Sequence, residues 1–164
     1  MSLLILALVA LLALAACGGD DRQATVARVL DGDTIVLQDG RHVRLVKLDA
    51  PETDERECYA DQARTTLHRL IPPGTDVTIE TDPSLDQVDR YGRTLAYVKK
   101  DSTNINLELV RRGAAAPWFF DGNRGRYATD LLEAAHDAQQ HQRGLWGACP
   151  GTRFDPIRAV EAQS

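Results

Sequence analysis

The sequence predicts a small α+β barrel domain, and three observations support this fold class. The chain has 164 residues, of which 43% are hydrophobic and 26% charged, which suits one globular domain with a single core. Five short segments rich in Val, Ile and Thr are separated by turn residues, a pattern typical of β-strands. Three segments with helical periodicity are inserted between these strands or follow them.

Residues 1–16 are predicted to be a signal peptide and not part of the barrel. Every residue from 3 to 16 is apolar, a run that is short for a membrane span but suits the core of a signal peptide. Cys17 follows two alanines, an arrangement that resembles a bacterial lipobox. We therefore expect lipid attachment at Cys17, a linker over residues 17–23, and an extracytoplasmic protein anchored to the bacterial membrane. The alternative is an ordinary secretory signal with an incidental cysteine.

Cys58 and Cys149 remain as a pair if Cys17 is lipidated. An even pair in an oxidising compartment predicts a disulfide. Such a bond would close a loop of about ninety residues and contribute roughly 4 to 5 kcal/mol in the chain-entropy model. The alternative is two unpaired thiols. Metal binding by the pair is not favoured, because no histidine or third cysteine stands at ligand spacing beside either one.

The first strands of the barrel are joined by glycine-containing turns. Two strands are predicted at residues 24–30 and 34–38, connected by an Asp-Gly-Asp turn at residues 31–33. A second Asp-Gly turn at residues 39–40 leads into a third strand at residues 41–48. On this pattern alone, the aspartates of the first turn are turn formers without chemistry.

The third predicted strand contains an arginine among apolar residues. Because side chains alternate across a strand, Arg44 shares a face with Val46 and Leu48, while its apolar neighbours point the other way. Both faces are therefore partly apolar, which predicts a closed or heavily covered sheet. A semi-buried arginine needs a partner, which nearby carboxylates or a bound phosphate would supply. The alternative is a surface arginine lying over apolar neighbours.

The third strand is predicted to end in an exposed, rigid corner at residues 49–52, because the proline there forces the preceding residue into an extended conformation. The corner carries Asp49 and Glu52. Together with Asp33, these carboxylates lie within about one hairpin of Arg44 in the sequence. Such a set suits a hard divalent cation and a phosphate that are held together.

The rest of the chain supplies the remaining elements. Asn104 or Asn106 is expected to cap the second helix, and Gly144 to end the third. The tail beyond Pro150 has little periodicity and is expected to be loosely held. The predicted elements are a helix at residues 58–71, strands at 77–81 and 94–99, a helix ending at 111–113, an irregular segment at 114–126, and a helix that buries Tyr127, Leu131, Ala134, Ala135 and Ala138.

Four segments of the chain carry a family resemblance. They read VLDGDTIVL, VRLVKLDAPET, DRYGRTLAYV and NLELVRRGAA. Their order and spacing resemble the thermonuclease family, typified by staphylococcal nuclease, over roughly residues 24–147. The resemblance implies a five-stranded OB-fold β-barrel with three helices, which would form a nuclease domain over residues 24–149. It also implies a calcium-dependent phosphodiesterase that cuts DNA and RNA.

The resemblance assigns metal-binding and catalytic roles. Asp33 and Asp49 correspond to the family's calcium-binding aspartates, and the backbone carbonyl of Ala50 would complete the protein's ligands. Glu52 corresponds to the catalytic glutamate, which positions or deprotonates the attacking water. Asp31 corresponds to an acidic neighbour that lies near the metal without binding it directly.

The resemblance also assigns substrate contacts. Arg44 and Arg93 correspond to the two arginines that bind the scissile phosphate, where charge-assisted hydrogen bonds stabilise the transition state. Tyr91, Trp118 and Phe120 lie roughly where the family packs against the nucleotide. The alternative is that these aromatic residues only close the core.

The charge of the chain limits how nucleic acid can be bound. A net charge of -5 and a pI of about 5.3 have the wrong sign for binding by bulk electrostatics, so phosphate recognition must be local. The acidic segment 54–61 stands where the staphylococcal type has a lysine-rich loop, which predicts weaker substrate binding. The expected partners are DNA or RNA and the membrane, with no obligate protein partner. The alternatives are a catalytically inactive OB-fold module that only binds nucleic acid, and a lipid-anchored structural protein.

Overall fold

The structure is a computed structural model that describes residues 22–120 and 122–162. The predicted signal peptide and Cys17 lie outside the described residues, so both remain predictions. Within the described part of the chain, no helix is both long and apolar enough to cross a membrane.

Eight strands and four helices make up the described chain. The strands are β1 (Arg22–Val29), β2 (Thr34–Leu37), β3 (His42–Leu45), β4 (Leu48–Asp49), β5 (Asp76–Glu80), β6 (Thr94–Lys100), β7 (Thr103–Asn104) and β8 (Ala116–Pro117). The helices are α1 (Ala60–Leu70), α2 (Ile105–Arg111), α3 (Ala128–Gln140) and α4 (Leu145–Ala148).

Five of the strands close a barrel, as the sequence predicts. Neighbouring strands pair antiparallel in the order β3-β2-β1-β5-β6, and a parallel pairing between β3 and β6 closes the ring. Arg44 stands opposite Thr34 of β2 on one side and Leu95 of β6 on the other. The predicted α+β barrel with three helices is therefore confirmed, and α4 adds a single turn that the sequence pattern did not predict.

The third strand is shorter than predicted. β3 ends at Leu45, and Lys47 adopts a left-handed backbone conformation with a φ of 63°. The chain then resumes as β4, which pairs with β8 in a separate two-stranded sheet. The side-chain alternation of a strand, which would place Arg44 on one face with Val46 and Leu48, therefore does not extend past Leu45. The predicted covering of both faces is nevertheless confirmed, because Val43, Arg44 and Leu45 are all buried.

The helices pack as their periodicity indicates. In α1, the apolar face buries Ala60, Ala63 and Leu67, and the last two belong to the hydrophobic core of the barrel. Asn104 caps α2 by accepting a hydrogen bond from the Leu107 N–H. Asn106 has a different role, since its buried side chain joins the Val98 N–H to the Val46 carbonyl. α3 buries Leu131, Ala134, Ala135 and Ala138 of the predicted face, but Tyr127 is a half-buried residue before the helix, and α3 ends at Gln140 instead of Gly144.

The expectation of a loosely held tail is wrong for the residues up to Ala162. Val160 and Ala162 are buried beside Leu145 and Cys149. The Ala162 carbonyl accepts a 3.0 Å hydrogen bond from the Cys58 N–H. The sequence shows no helical or strand periodicity in this segment because side-chain contacts and isolated backbone hydrogen bonds hold it, not regular structure.

The predicted disulfide between Cys58 and Cys149 is present. Their Cα atoms are 6.0 Å apart, and the bond spans 91 positions. It joins the start of the α1 segment to the end of α4, next to the packed tail. The segment before the first helix is therefore covalently linked to the end of α4.

Candidate active site

The centre of the site is a buried arginine that contacts two buried aspartates. The Arg44 Nη2 atom lies 2.9 Å from Asp33 Oδ2 and 2.7 Å from Asp49 Oδ1. The Nη1 atom donates to the Leu45 and Leu48 carbonyls, each at 2.9 Å. The break between β3 and β4 turns both of these carbonyls toward the guanidinium. Nearby carboxylates therefore supply the partner that a semi-buried arginine at this position requires.

The turn before β2 positions Asp33. The Asp31 side chain accepts a 3.0 Å hydrogen bond from the Asp33 N–H, which fixes the turn. The Ala50 N–H donates to Asp33 Oδ2 at 3.0 Å, which ties this turn to the corner after β4. Gly32 allows the close approach, because a Cβ there would lie only 2.6 Å from the Ala50 Cβ and 2.9 Å from the Ala63 Cβ.

The electrostatic environment of the two aspartates favours a bound positive charge. Burial raises the pKa of Asp33 well above its ordinary value, and the charges of Asp31 and Asp49 raise it further, against the effect of Arg44. Burial also raises the pKa of Asp49, although Arg44 and the Val160 N–H oppose this shift. One guanidinium thus compensates the grouped carboxylates only in part.

The prediction of an exposed corner is wrong for residues 49–51, which are buried, and only Glu52 is exposed there. Partial burial raises its pKa above the ordinary value, and the nearby charges of Asp31 and Asp49 add to the shift. The Glu52 N–H donates to Glu57 Oε2 at 2.7 Å, and the Glu52 carbonyl accepts from the Glu57 N–H at 3.1 Å. This pair of hydrogen bonds holds the corner while leaving the Glu52 side chain open to solvent.

A cavity of about 380 Å³ adjoins the acidic centre. Arg44 lines the cavity and also contacts Asp33 and Asp49, so it connects the two parts of the site. The lining contains both predicted phosphate-binding arginines and all three predicted substrate-binding aromatics, namely Arg44, Arg93, Tyr91, Trp118 and Phe120. The fold therefore brings together predicted site residues that are widely separated in the sequence.

Asp89 positions Arg93 at the wall of the same cavity. The Arg93 Nε atom donates to Asp89 Oδ2 at 2.6 Å, and the Arg93 and Tyr91 N–H groups both donate to Asp89 Oδ1 at 2.9 Å. The Tyr91 ring is 68% exposed. The guanidinium carbon of Arg90 lies 4.7 Å from the ring centroid and that of Arg93 5.4 Å.

The aromatic cluster at residues 118–120 divides between core and cavity. Phe119 is buried, as expected for a residue that only closes the core. Trp118 is half-buried, Phe120 is 76% exposed, and their ring centroids lie 5.4 Å apart on the cavity wall. The core-closing alternative therefore holds for Phe119, whereas Trp118 and Phe120 line the cavity.

Comparison with known proteins identifies the family. The family model described as "Staphylococcal nuclease homologue" matches residues 42–148, which is most of the described chain. This chain belongs to the staphylococcal nuclease homologue family. The predicted resemblance is therefore confirmed.

Relatives of this family member include both endonucleases and thermonucleases. It is 39% identical over 132 residues to an uncharacterized endonuclease of Escherichia coli O157:H7, covering 77% of this chain and 78% of the relative. It is 32% identical over 128 residues to the thermonuclease of Staphylococcus intermedius, covering 74% of each. An uncharacterized endonuclease of Haemophilus influenzae is 33% identical over 141 residues, covering 81% of this chain and 71% of the relative. Family and relatives support a nuclease, a hydrolase that acts on phosphodiester bonds.

The donor set of the nuclease site fits a calcium ion in part. Asp33 Oδ2 and Asp49 Oδ1 approach the same Arg44 nitrogen, so these carboxylates lie close together, and all predicted ligands are oxygens, which calcium prefers. Among residues 22–120 and 122–162, no group of three or more His, Cys, Asp or Glu side chains is arranged to hold a metal ion. Two carboxylates and one carbonyl would leave most of calcium's six to eight positions to water and substrate.

Two contacts of the nuclease site were not predicted from the sequence. Asp89 stands four positions before Arg93, a spacing that could have indicated the pair. The Val160 N–H donates to Asp49 Oδ2 at 2.9 Å. A backbone donor in a segment without periodicity leaves no signal in the sequence, so this contact could not have been found.

Proposed function

We propose that this nuclease is a calcium-dependent phosphodiesterase that hydrolyses DNA or RNA by metal-assisted attack of water. One observation carries the proposal. Arg44 contacts two buried aspartates and also lines a cavity that contains Arg93 and three aromatic side chains. A cation site and a phosphate site that share one arginine are what phosphodiester hydrolysis needs.

Asp33, Asp49 and the Ala50 carbonyl are the proposed calcium ligands. Calcium, when bound, supplies positive charge beside a phosphate oxygen. The Asp31 side chain fixes the turn that presents Asp33, and the Ala50 N–H fixes the Asp33 carboxylate from the other side. These contacts hold the proposed ligands in place before any ion binds.

Glu52 is the proposed group that positions or deprotonates the attacking water. Its side chain is exposed at the corner that follows the proposed ligands, so a water molecule can reach it. The hydrogen bonds to Glu57 restrain the backbone at this corner. A restrained backbone places the carboxylate without occupying its oxygens.

Arg44 and Arg93 are the proposed phosphate-binding residues. Both line the cavity, and Asp89 holds Arg93 at its wall. Losing one such donor typically costs about 3 to 4 kcal/mol of transition-state stabilisation. The exposed rings of Tyr91 and Phe120, with half-buried Trp118, offer surfaces on which bases can stack.

Digestion of plasmid DNA and RNA tests the proposal. The form that begins at Gly18 is assayed with calcium and with a chelator, alongside Glu52→Gln and the control Glu55→Gln, which changes an exposed acid in the same segment. We expect digestion that requires calcium, is lost in Glu52→Gln and is retained in Glu55→Gln. Indifference to calcium, or full activity in Glu52→Gln, would contradict the mechanism. Binding of nucleic acid without digestion would indicate the inactive binding module.

We further propose that the protein is extracytoplasmic and attached to the bacterial membrane by lipid at Cys17. The support is the apolar run that ends in two alanines before Cys17. In bacteria expressing the full chain, we expect the wild-type protein in the membrane fraction and Cys17→Ser in the soluble fraction. Continued membrane association of Cys17→Ser would count against lipidation.

A further inference from the structure

We propose that residues 150–162 contribute to the active site. In this proposal, the backbone N–H of Val160 holds the Asp49 carboxylate in its metal-binding orientation. The inference deepens the proposed function and rests on it, because it takes Asp49 to be a calcium ligand. Val160 is a positioning residue, since it acts through Asp49.

Each oxygen of Asp49 has its own donor. The Val160 N–H donates to Oδ2 at 2.9 Å, and Arg44 Nη2 donates to Oδ1 at 2.7 Å. Both Asp49 and Val160 are buried, so water does not compete freely for either contact. Rotation of the carboxylate about its Cβ–Cγ bond would break at least one of these hydrogen bonds. The two donors together therefore fix the plane of the carboxylate.

The segment that carries Val160 is itself held at several points. The disulfide at Cys149 fixes its start, and the Ala162 carbonyl accepts from the Cys58 N–H at 3.0 Å near its end. Between them, the Pro156 carbonyl accepts from the Phe119 N–H at 2.6 Å. The Phe154 ring packs edge-on against Trp146, with centroids 5.9 Å apart. These contacts allow a backbone N–H near the chain end to act as a fixed donor.

Loss of a hydrogen-bond donor to a metal-binding carboxylate is expected to lower metal affinity more than the stability of the fold. Carboxylates that bind metals are commonly held by such hydrogen bonds, and removing the outer partner typically costs 10- to 100-fold in metal affinity or activity. The Val160 N–H leaves lone pairs of Asp49 available, because each carboxylate oxygen can accept more than one contact. We therefore expect loss of this N–H to weaken calcium binding while the barrel stays folded.

The position of Cys149 allows a test that removes a single N–H. Native chemical ligation at Cys149 joins the chain ending at Ala148 to a synthetic peptide covering residues 149–164. In one peptide, an ester replaces the amide between Ala159 and Val160, which deletes the Val160 N–H and keeps every side chain. The matched control carries the ester one position earlier and deletes the N–H of exposed Ala159. The unmodified peptide gives the reference protein.

Calcium binding is the readout, measured by titration calorimetry well below the thermal midpoint of each protein. We expect the Val160 ester to lower calcium affinity 10- to 100-fold and the Ala159 ester to change it less than about twofold. Equal affinity in both ester proteins would overturn this inference alone. Absence of calcium binding in the reference protein would overturn the proposed calcium dependence, and this inference with it.

Two substitutions provide a second test if the ester protein fails to fold. Val160→Pro removes the N–H, whereas Val160→Ala keeps it and removes most of the buried side chain. We expect calcium affinity to fall 10- to 100-fold in Val160→Pro and to stay within about twofold in Val160→Ala. Similar calcium affinities in the two variants would show that Val160 contributes only packing, which would overturn the inference.

Discussion

Arg44 shows how one side chain connects the acidic centre to the adjoining cavity. Its buried guanidinium contacts Asp33, Asp49 and two backbone carbonyls, yet the residue also lines the cavity. The sequence predicted a carboxylate partner, because an arginine between apolar residues needs one. The two carbonyl contacts could not be predicted, since they depend on the interruption of the strand after Leu45.

Asp89 acts at the residue level by holding Arg93. In Asp89→Asn, the ion pair is lost while the backbone N–H contacts can persist, so Arg93 is no longer fixed at the cavity wall. We expect kcat/KM for DNA cleavage to fall about 10- to 100-fold, because small misplacements of catalytic groups have effects of this size. Steady-state kinetics on a defined oligonucleotide measures the change.

Asp86→Asn is the matched control for this prediction. Asp86 is exposed and lines the same cavity, so its substitution removes the same charge from the same surface. We expect kcat/KM to be unchanged or to rise slightly, since a repelling charge near the phosphate is removed. Equal losses in the two variants would show that Asp89 does not act by positioning Arg93.

Glu80 makes stability depend on pH. Its side chain is 2% exposed and contacts Lys99 Nζ at 2.5 Å, the Tyr127 hydroxyl at 3.1 Å, and Arg126. Burial alone would raise the pKa of Glu80, but these partners outweigh it and lower the pKa. A lowered folded-state pKa gives stability that is fully present above the ordinary carboxylate pKa and is lost as the pH falls through the lowered value.

We therefore predict that Glu80→Gln destabilises the fold at neutral pH and much less in acid. Hydrogen bonds to charged groups contribute about 1.5 to 3 kcal/mol, so we expect a loss of this size in the free energy of unfolding at pH 7. Urea denaturation across a pH series gives the difference between the two proteins. A difference that stays constant as the pH falls would contradict the assignment.

At the level of elements, the turn before β2 packs unusually closely on its neighbours. Gly32 lies against Ala50 of the corner and Ala63 of α1, which leaves no room for a side chain. We predict that Gly32→Ala costs about 1 to 3 kcal/mol of stability, as overpacking of a core does. It should also lower nuclease activity, because Asp33 follows Gly32 directly. Denaturant unfolding and DNA digestion measure the two effects.

Gly40→Ala and a second substitution at Ala63 test whether the stability loss of Gly32→Ala has a steric origin. Gly40 has a φ of 87° but open space around it, so alanine there should cost about 1 kcal/mol from backbone strain and leave activity unchanged. Adding Ala63→Gly to Gly32→Ala removes the closest α1 atom, so the double variant should be more stable than the sum of the two single losses predicts. Strictly additive effects of the two substitutions would exclude a steric conflict with Ala63.

The elements differ in how well the sequence predicts them. The apolar stripes of α1 and α3 and the Asp-Gly turns are local patterns, and the structure contains them. The break between β3 and β4 is different, because its left-handed residue is Lys47, and lysine carries no turn signal. β8 was missed for a related reason, since two residues are too few to show alternation.

At the level of the whole molecule, the disulfide links the segment before α1 to the end of α4. A loop that spans 91 positions stabilises the fold by about 4 to 5 kcal/mol in the chain-entropy model. We predict that the Cys58→Ala, Cys149→Ala double variant loses about this much in urea denaturation. The folded protein that begins at Gly18 should show no free thiol, and a detectable thiol would contradict the bond.

The position of the tail could not be predicted from the sequence. Val160 and Ala162 contribute only two buried apolar side chains, separated by an exposed glutamate, and nothing around them sets a period. Their place depends on the disulfide and on surfaces formed by distant parts of the chain. The family resemblance predicted the barrel and which residues share the site, but it did not extend to residues 150–162.

The contact between Asp49 and Val160 joins positions that are 111 residues apart. Bringing such distant positions together carries a loop-closure entropy cost, which is offset only when the intervening elements have folded. The Val160 donor is therefore expected to be among the last contacts of the acidic centre to form when this nuclease refolds.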